Sequence, residues 1–154
     1  MSSKSNVLII EARFYENIAD ELARGASAVL DRAGVSYDRH WVPGVFEVPA
    51  GCRFALRSME EGTACPRYSG FIALGCVIRG ETDHYDHICR EASRALMDLA
   101  VDHSVALGFG ILTCETYDQA WVRASVGQKN KGADAAEACL RMIELRRTLH
   151  LVPR

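Results

Sequence analysis

The sequence lacks a long apolar run. Its extended hydrophobic stretches, such as Val7 to Ile10 and Val105 to Leu112, fall far short of the ~20 residues that a membrane-spanning helix needs, so no membrane role is expected. A signal-peptide core is missing too: Met1 to Asn6 is polar, which points to a cytoplasmic protein. Charge of one sign is likewise absent. Lys and Arg number 18 against 20 Asp and Glu, a formal net charge of -2, which argues against nucleic acid or an anionic membrane as a bulk partner. No low-complexity tract, internal repeat or linker interrupts the 154 residues, and 49% are hydrophobic, so a single domain over 1–154 with a real core is expected. Cys52, Cys65, Cys76, Cys89, Cys114 and Cys139 are scattered, and no two of them form a Cys-x-x-Cys motif. Several lie in apolar segments, where a free cysteine acts as a small hydrophobe, so a reduced and mostly structural set is expected. Leu151-Val152-Pro153-Arg154 resembles half of a protease-cleavage sequence used in protein expression and is set aside.

What is present is an alternation of short apolar runs and amphipathic stretches. Val7 to Ile10, a run ending at Pro43-Gly44 with Val35, Tyr37, Arg39 and Trp41 on one face, Phe71 to Ile78 and Val105 to Leu112 are read as strands. Between them, Ile18, Leu22, Ala26, Val29, Leu30 and Ala33 share a helical face that Gly34 ends. A second helix is expected from Pro49 to Met59, with Cys52, Ala55, Leu56 and Met59 inward. The clearest helix runs from Asp83 to about His103 with Ile88, Ala92, Ala95, Leu96 and Leu99 as its stripe. Tyr117 to Ala124 forms a short helix, Gly127 to Gly132 a polar connection, and Ala133 to about Leu149 a last helix with Ala136, Leu140 and Ile143 inward. This β-α-β-α-β-α-β-α-α order predicts an α/β fold with a four-stranded parallel sheet covered on both faces. Ligands of such sheets bind beyond the carboxyl ends of the strands, which selects the loops at Arg13 to Glu16, Pro43 to Glu47, Arg79 to His84 and Thr113 to Thr116.

The segment Gly75-Cys76-Val77-Ile78-Arg79-Gly80-Glu81-Thr82-Asp83-His84-Tyr85-Asp86 is the strongest of these. Gly80 permits a tight turn and Thr82 suits an N-cap. The free N–H groups and positive dipole end of the helix then suit an anion, with no lysine-bearing P-loop. His84, in the first turn, would titrate near neutral pH, as a proton shuttle needs. A glycine that only turns the chain and a histidine that only begins a helix would read the same way. His84-x-x-His87 with Asp86 and Cys89 lacks metal-ligand spacing, so no metal is expected. Pro43-Gly44-Val45-Phe46-Glu47-Val48-Pro49 offers an apolar face and one acceptor, or is a plain strand-to-helix turn. Arg13-Phe14-Tyr15 could stack on a flat ring or plug the core. Arg123 and Lys131 could clamp an anion; a Schiff-base role for Lys131 has no support in its surroundings.

Taken together, these segments resemble the lumazine synthase family. Ala12-Arg13-Phe14, Val42 to Pro49, Ala73 to Asp86, Gly108 to Thr113, Asp118-Gln119-Ala120 and Asn130-Lys131-Gly132 occur in family order and spacing, over Asn6 to about Arg147. The resemblance implies a flavodoxin-like three-layer α/β/α sandwich in homopentamers, free or built into an icosahedral shell, with each active site between two subunits. It implies condensation of 5-amino-6-(D-ribitylamino)uracil with 3,4-dihydroxy-2-butanone 4-phosphate to 6,7-dimethyl-8-ribityllumazine. That is the penultimate step of riboflavin biosynthesis, run without cofactor or metal, and riboflavin synthase is an implied partner. By position, Phe14 would stack on the pyrimidine, and Val45, Phe46 and Glu47 would line the site of the ring and ribityl chain. Cys76, Val77 and Ile78 would read the pyrimidine edges through backbone groups. Glu81 and Thr82 would cradle phosphate, and His84 would be the general acid/base. Phe109 and Arg123 would come from the adjacent subunit, Arg123 to phosphate; Lys131 would stand near the same anion, and Asp134 would orient a proton carrier.

Three features depart from the family. Tyr15 stands where many members have asparagine, and Glu81 adds negative charge at the phosphate turn. Ser125 to Lys129 lacks the Gly-x-Lys-x-Gly run common in shell-forming members, which favours a free pentamer. Rival readings are a non-catalytic flavin- or lumazine-binding protein, and an archaeal-type riboflavin synthase. His84, Arg123 and Lys131 together speak against the first, and the full Gly80 to Asp86 motif against the second. A flavodoxin would need a phosphate loop rich in Ser and Thr after the first strand, which Arg13-Phe14-Tyr15-Glu16 is not.

Overall fold

Strand β1 (Asn6–Ala12) shows why the chain layers as it does: Val7 and Ile9 enter one apolar cluster, while Leu8, Ile10 and Ala12 enter another on the opposite face. The computed structural model describes residues 5–63 and 66–151; Cys65 and Val152-Pro153-Arg154 of the tail lie outside them. After β1 come α1 (Glu16–Arg32), β2 (Ser36–Val42), α2 (Val48–Glu60), β3 (Gly70–Ile78), α3 (His84–Asp102), β4 (Leu107–Cys114), α4 (Tyr117–Ala124) and α5 (Lys131–Thr148). The sheet is wholly parallel in the order β2-β1-β3-β4. Buried residues of α1, α4 and α5 pack on one face, and those of α2 and α3 on the other. This is the parallel sheet covered on both faces that the alternation of elements predicts, and the three-layer α/β/α, flavodoxin-like sandwich that the resemblance implies.

The central strands need apolar residues on both faces, which is why β3 is one continuous buried run from Gly70 to Val77. Helix α1 ends where expected, because Gly34 adopts a positive φ of 68° just past its last turn. Three expectations are corrected. Ala33 is exposed, since α1 stops at Arg32 and Ala33 only caps it. Strand β1 runs past Ile10 through Glu11, a charged residue held in the sheet by two arginines. Helix α5 begins at Lys131, two residues before the expected Ala133. Its early start brings Gly132 so close to α1 that a Cβ there would lie 2.0 Å from the Leu22 carbonyl oxygen. Only glycine permits that approach.

Candidate active site

The carboxyl ends of β1, β2 and β3 open together into a cleft of about 420 Å³. Its walls come from three loops: Phe14 and Tyr15 after β1, Pro43 to Glu47 after β2, and the end of β3 with the first turn of α3. Phe14 is 73% exposed and Phe46 59%, so two aromatic rings stand in solvent at the mouth with nothing apolar over them. Phe14 is braced edge-on by Tyr15, at 4.9 Å between centroids, and Tyr15 in turn by Tyr117 at 6.5 Å. The floor is Cys76, Val77 and Ile78.

The loop after β2 is shaped by its own carboxylate. Val45 to Glu47 form a single 3-10 turn, in which Val45 is buried, and the Gly44 N–H donates to Glu47 Oε1 at 3.0 Å. That bond satisfies an orphan donor at the start of a helix and pins the Glu47 side chain at the cleft edge.

His84 lies in the first turn of α3, as expected, here as its first residue, and lines the same cleft beside Ile88. Its ring is exposed and, among the described residues, has no hydrogen-bond partner, so both ring nitrogens are available to a ligand. The expected N-cap is corrected. Asp83 is the boundary residue and makes no side-chain cap bond, but the Thr82 hydroxyl accepts from the His84 N–H at 3.3 Å. Gly80 is also re-read: it does not adopt a positive φ, and a Cβ there would meet nothing within 4 Å. Its glycine is therefore not demanded by the turn, and it leaves open backbone beside exposed Glu81 and Thr82. The turn is held from outside by Arg79, which donates to Glu115 at 2.9 Å and to Asp86 at 3.3 Å and lies 4.3 Å over the Tyr85 ring. These bonds engage the only cation of the segment Arg79 to Asp83.

Burial sets the chemistry of the floor. The Cys76 thiol is pushed up to about 12 by desolvation and by its neighbour Cys114, so Cys76 is neutral at any physiological pH. Tyr15 is raised by burial in the same way and keeps its phenolic proton.

The remaining expected residues lie elsewhere. Phe109, Arg123, Lys131 and Asp134 line a second concavity of about 450 Å³, with Ile111, Leu112 and Thr113 of the edge strand β4. It shares no lining residue with the His84 cleft. Phe109 is 46% exposed at that edge. Arg123 donates to the Gln119 carbonyl at 3.2 Å, and Lys131 Nζ lies 3.3 Å from Asp134 Oδ2. One chain thus carries two separate concavities: an apolar cleft with one carboxylate and one histidine, and a second lined by Arg123, Lys131 and Asp134. Ile88 lines the first without having been singled out, because in sequence an apolar residue on a helical stripe reads as packing.

Comparison with known proteins places the chain in a family. Residues 4–147 match the model of the 6,7-dimethyl-8-ribityllumazine synthase family. Curated relatives bearing that name include one from Paramagnetospirillum magneticum, 49% identical over 96% of this chain and 98% of its own. Another, numbered 1 in Rhizobium meliloti, is 53% identical over 94% and 93%. A third, from Agrobacterium fabrum, is 51% identical over 96% and 98%. The chain belongs to the 6,7-dimethyl-8-ribityllumazine synthase family.

Proposed function

We propose that this protein is a transferase that condenses 5-amino-6-(D-ribitylamino)uracil with 3,4-dihydroxy-2-butanone 4-phosphate, giving 6,7-dimethyl-8-ribityllumazine. The uracil amine attacks the ketone and water leaves to give an imine; the phosphate is then eliminated. That elimination leaves an enol at the hydroxyl-bearing carbon, which tautomerises to a ketone, and the ribitylamino nitrogen closes the ring on this new carbonyl with loss of a second water. The observation that carries this reading is the pair of exposed aromatic rings, Phe14 and Phe46, lining one cleft with an unpartnered histidine.

Each residue has a task on this reading. Phe14 and Phe46 hold the flat pyrimidine, and the backbone of Cys76 to Ile78 and the Glu47 carboxylate bind its polar edges and ribityl chain. Glu81 and Thr82 frame the phosphate at the open backbone beside Gly80, where the first N–H groups of α3 lack carbonyl partners. His84 hands protons to the departing oxygens. Holding two intrinsically reactive partners together lowers the entropic part of the barrier, an effect reaching roughly 7–11 kcal/mol in well-oriented systems, so His84 assists a reaction driven mainly by positioning.

Cations would strengthen a phosphate site built on backbone N–H groups, and the His84 cleft is lined by none. Arg123 and Lys131 lie in the second concavity with Phe109, which supports a site completed by a neighbouring copy. A ring of copies, each presenting its basic concavity to the next cleft, is the simplest closed arrangement, and we take it as a homopentamer, free rather than in a shell. The compartment is the cytoplasm, with riboflavin synthase downstream. Mixing purified protein with both substrates and following lumazine absorbance and phosphate release tests the proposal. Joint appearance of both products is expected; ligand binding without turnover would favour a storage role instead.

A further inference from the structure

Glu11 is the one charged residue buried in the core among the described residues, 2% exposed at the end of β1. A carboxylate there must be matched by charge and by hydrogen bonds. Arg39 on β2 supplies a fork, with Nε 2.8 Å from Oε2 and Nη2 2.9 Å from Oε1. Arg13, just after β1, donates to Oε1 at 2.6 Å and also reaches Asp20 on α1. The Arg13 N–H donates to the Val42 carbonyl at 3.2 Å. The network therefore ties together the carboxyl ends of β1 and β2 and the start of α1.

Those two strand ends feed the two aromatic walls of the cleft. Phe14 follows Arg13 directly, and the turn bearing Phe46 begins three residues after Val42, the register partner of Ala12. None of Glu11, Arg13, Asp20 or Arg39 lines the cleft itself. Stability is not a sufficient reason for a charge at this position, because an apolar side chain of similar volume commonly serves a core as well or better. What an apolar residue cannot supply is direction. A forked guanidinium on one strand and a second guanidinium on the loop of the other set both distance and angle.

We propose that Glu11 is a positioning residue for the pyrimidine site: through Arg39 and Arg13 it holds the Phe14 and Phe46 loops at the separation a flat ring requires. The inference rests on the reading of the cleft as the pyrimidine site, and the test separates the two. Affinity for the pyrimidine substrate is read by fluorescence titration and turnover by lumazine formation, in the wild type and in Glu11→Gln, Arg39→Gln and the double variant. Both single variants are expected to weaken pyrimidine Kd and KM about tenfold while changing kcat by less than about twofold, the double being no worse than either. The KM for the ketose phosphate and the pH profile of kcat are expected to stay as in the wild type. Should Glu11→Gln fail to fold, Arg39→Gln decides, since its guanidinium is partly exposed and Arg13 still balances the carboxylate. Unchanged pyrimidine affinity, or equal losses in kcat and both KM values, would overturn the positioning role. A wild type that binds pyrimidine without turning over would refute the activity alone, and the affinity comparison would still judge Glu11.

Discussion

His84 owes its place to a boundary: it is the first residue of α3, its backbone N–H is occupied by Thr82, and its ring is left free over the cleft. On a reaction driven mainly by positioning, His84→Ala is expected to slow single-turnover rates about 10- to 100-fold, at or below the low end of ordinary acid–base contributions. Rates that stay the same across the pH range would refute the proton-transfer role. Glu47 carries two duties, since its Oε1 closes the turn on the Gly44 N–H. Glu47→Ala should therefore cost about 1 kcal/mol in urea unfolding, as lost caps do, and weaken the pyrimidine as well. Glu47→Gln, which can keep that hydrogen bond, should spare stability and still weaken binding, and equilibrium unfolding beside a titration would separate the two.

At the level of elements, α5 governs how the basic concavity forms. Its first turn holds Lys131 and Asp134, and its seat depends on two backbone approaches. A Cβ at Gly132 would lie 2.0 Å from the Leu22 carbonyl oxygen, and one at Gly108 would lie 2.0 Å from that of Ala135. Neither oxygen sits at the end of a flexible side chain, so the helix would have to move. Gly108→Ala or Gly132→Ala should each destabilise by about 2–3 kcal/mol, visible as a lower denaturant midpoint. Gly80→Ala, which meets nothing within 4 Å and has no positive φ, should leave that midpoint unchanged.

Across the whole molecule the decisive fact is that the His84 cleft and the Arg123 concavity share no residue within one chain, and the proposed function has a neighbouring copy bring them together. His84→Ala and Arg123→Ala subunits, each impaired alone, should regain activity when unfolded and refolded together. About one quarter of the interfaces in a 1:1 mixture would combine two intact halves in a head-to-tail ring. No gain on mixing would mean that the sites are not shared. The core makes a second prediction. Burial pushes Cys52 and Cys139 up to about 12 from an ordinary value of 9.0, and burial with Cys114 does the same to Cys76. The folded protein thus holds thiol protons that the unfolded chain loses. The stability this contributes is complete below pH 9.0 and is lost as pH rises towards 12. Denaturant midpoints should fall through that window, less so in Cys52→Ser or Cys139→Ser once each variant's own lower baseline is subtracted.

The strand and helix order, the parallel sheet and the cleft at the carboxyl ends were legible in the chain because they rest on local signals. A β-branched run, a helical stripe or a glycine after a last turn is recorded within a few residues, as Phe71 to Ile78 and Gly34 illustrate. His84, Phe14, Phe46 and Glu47 were reachable by the same route, through loops that follow strands. Other features depend on partners far away in the chain. Glu11 ended the expected strand at Ile10, and only Arg39, 28 residues on, makes its burial tolerable. The start of α5 at Lys131 follows Asn130 as its N-cap, and the close approach of Gly132 to Leu22 of α1 is a contact no local signal records. The separation of Arg123 and Lys131 from His84 follows from β4 being the sheet's edge, and strand order is a property of the packed molecule.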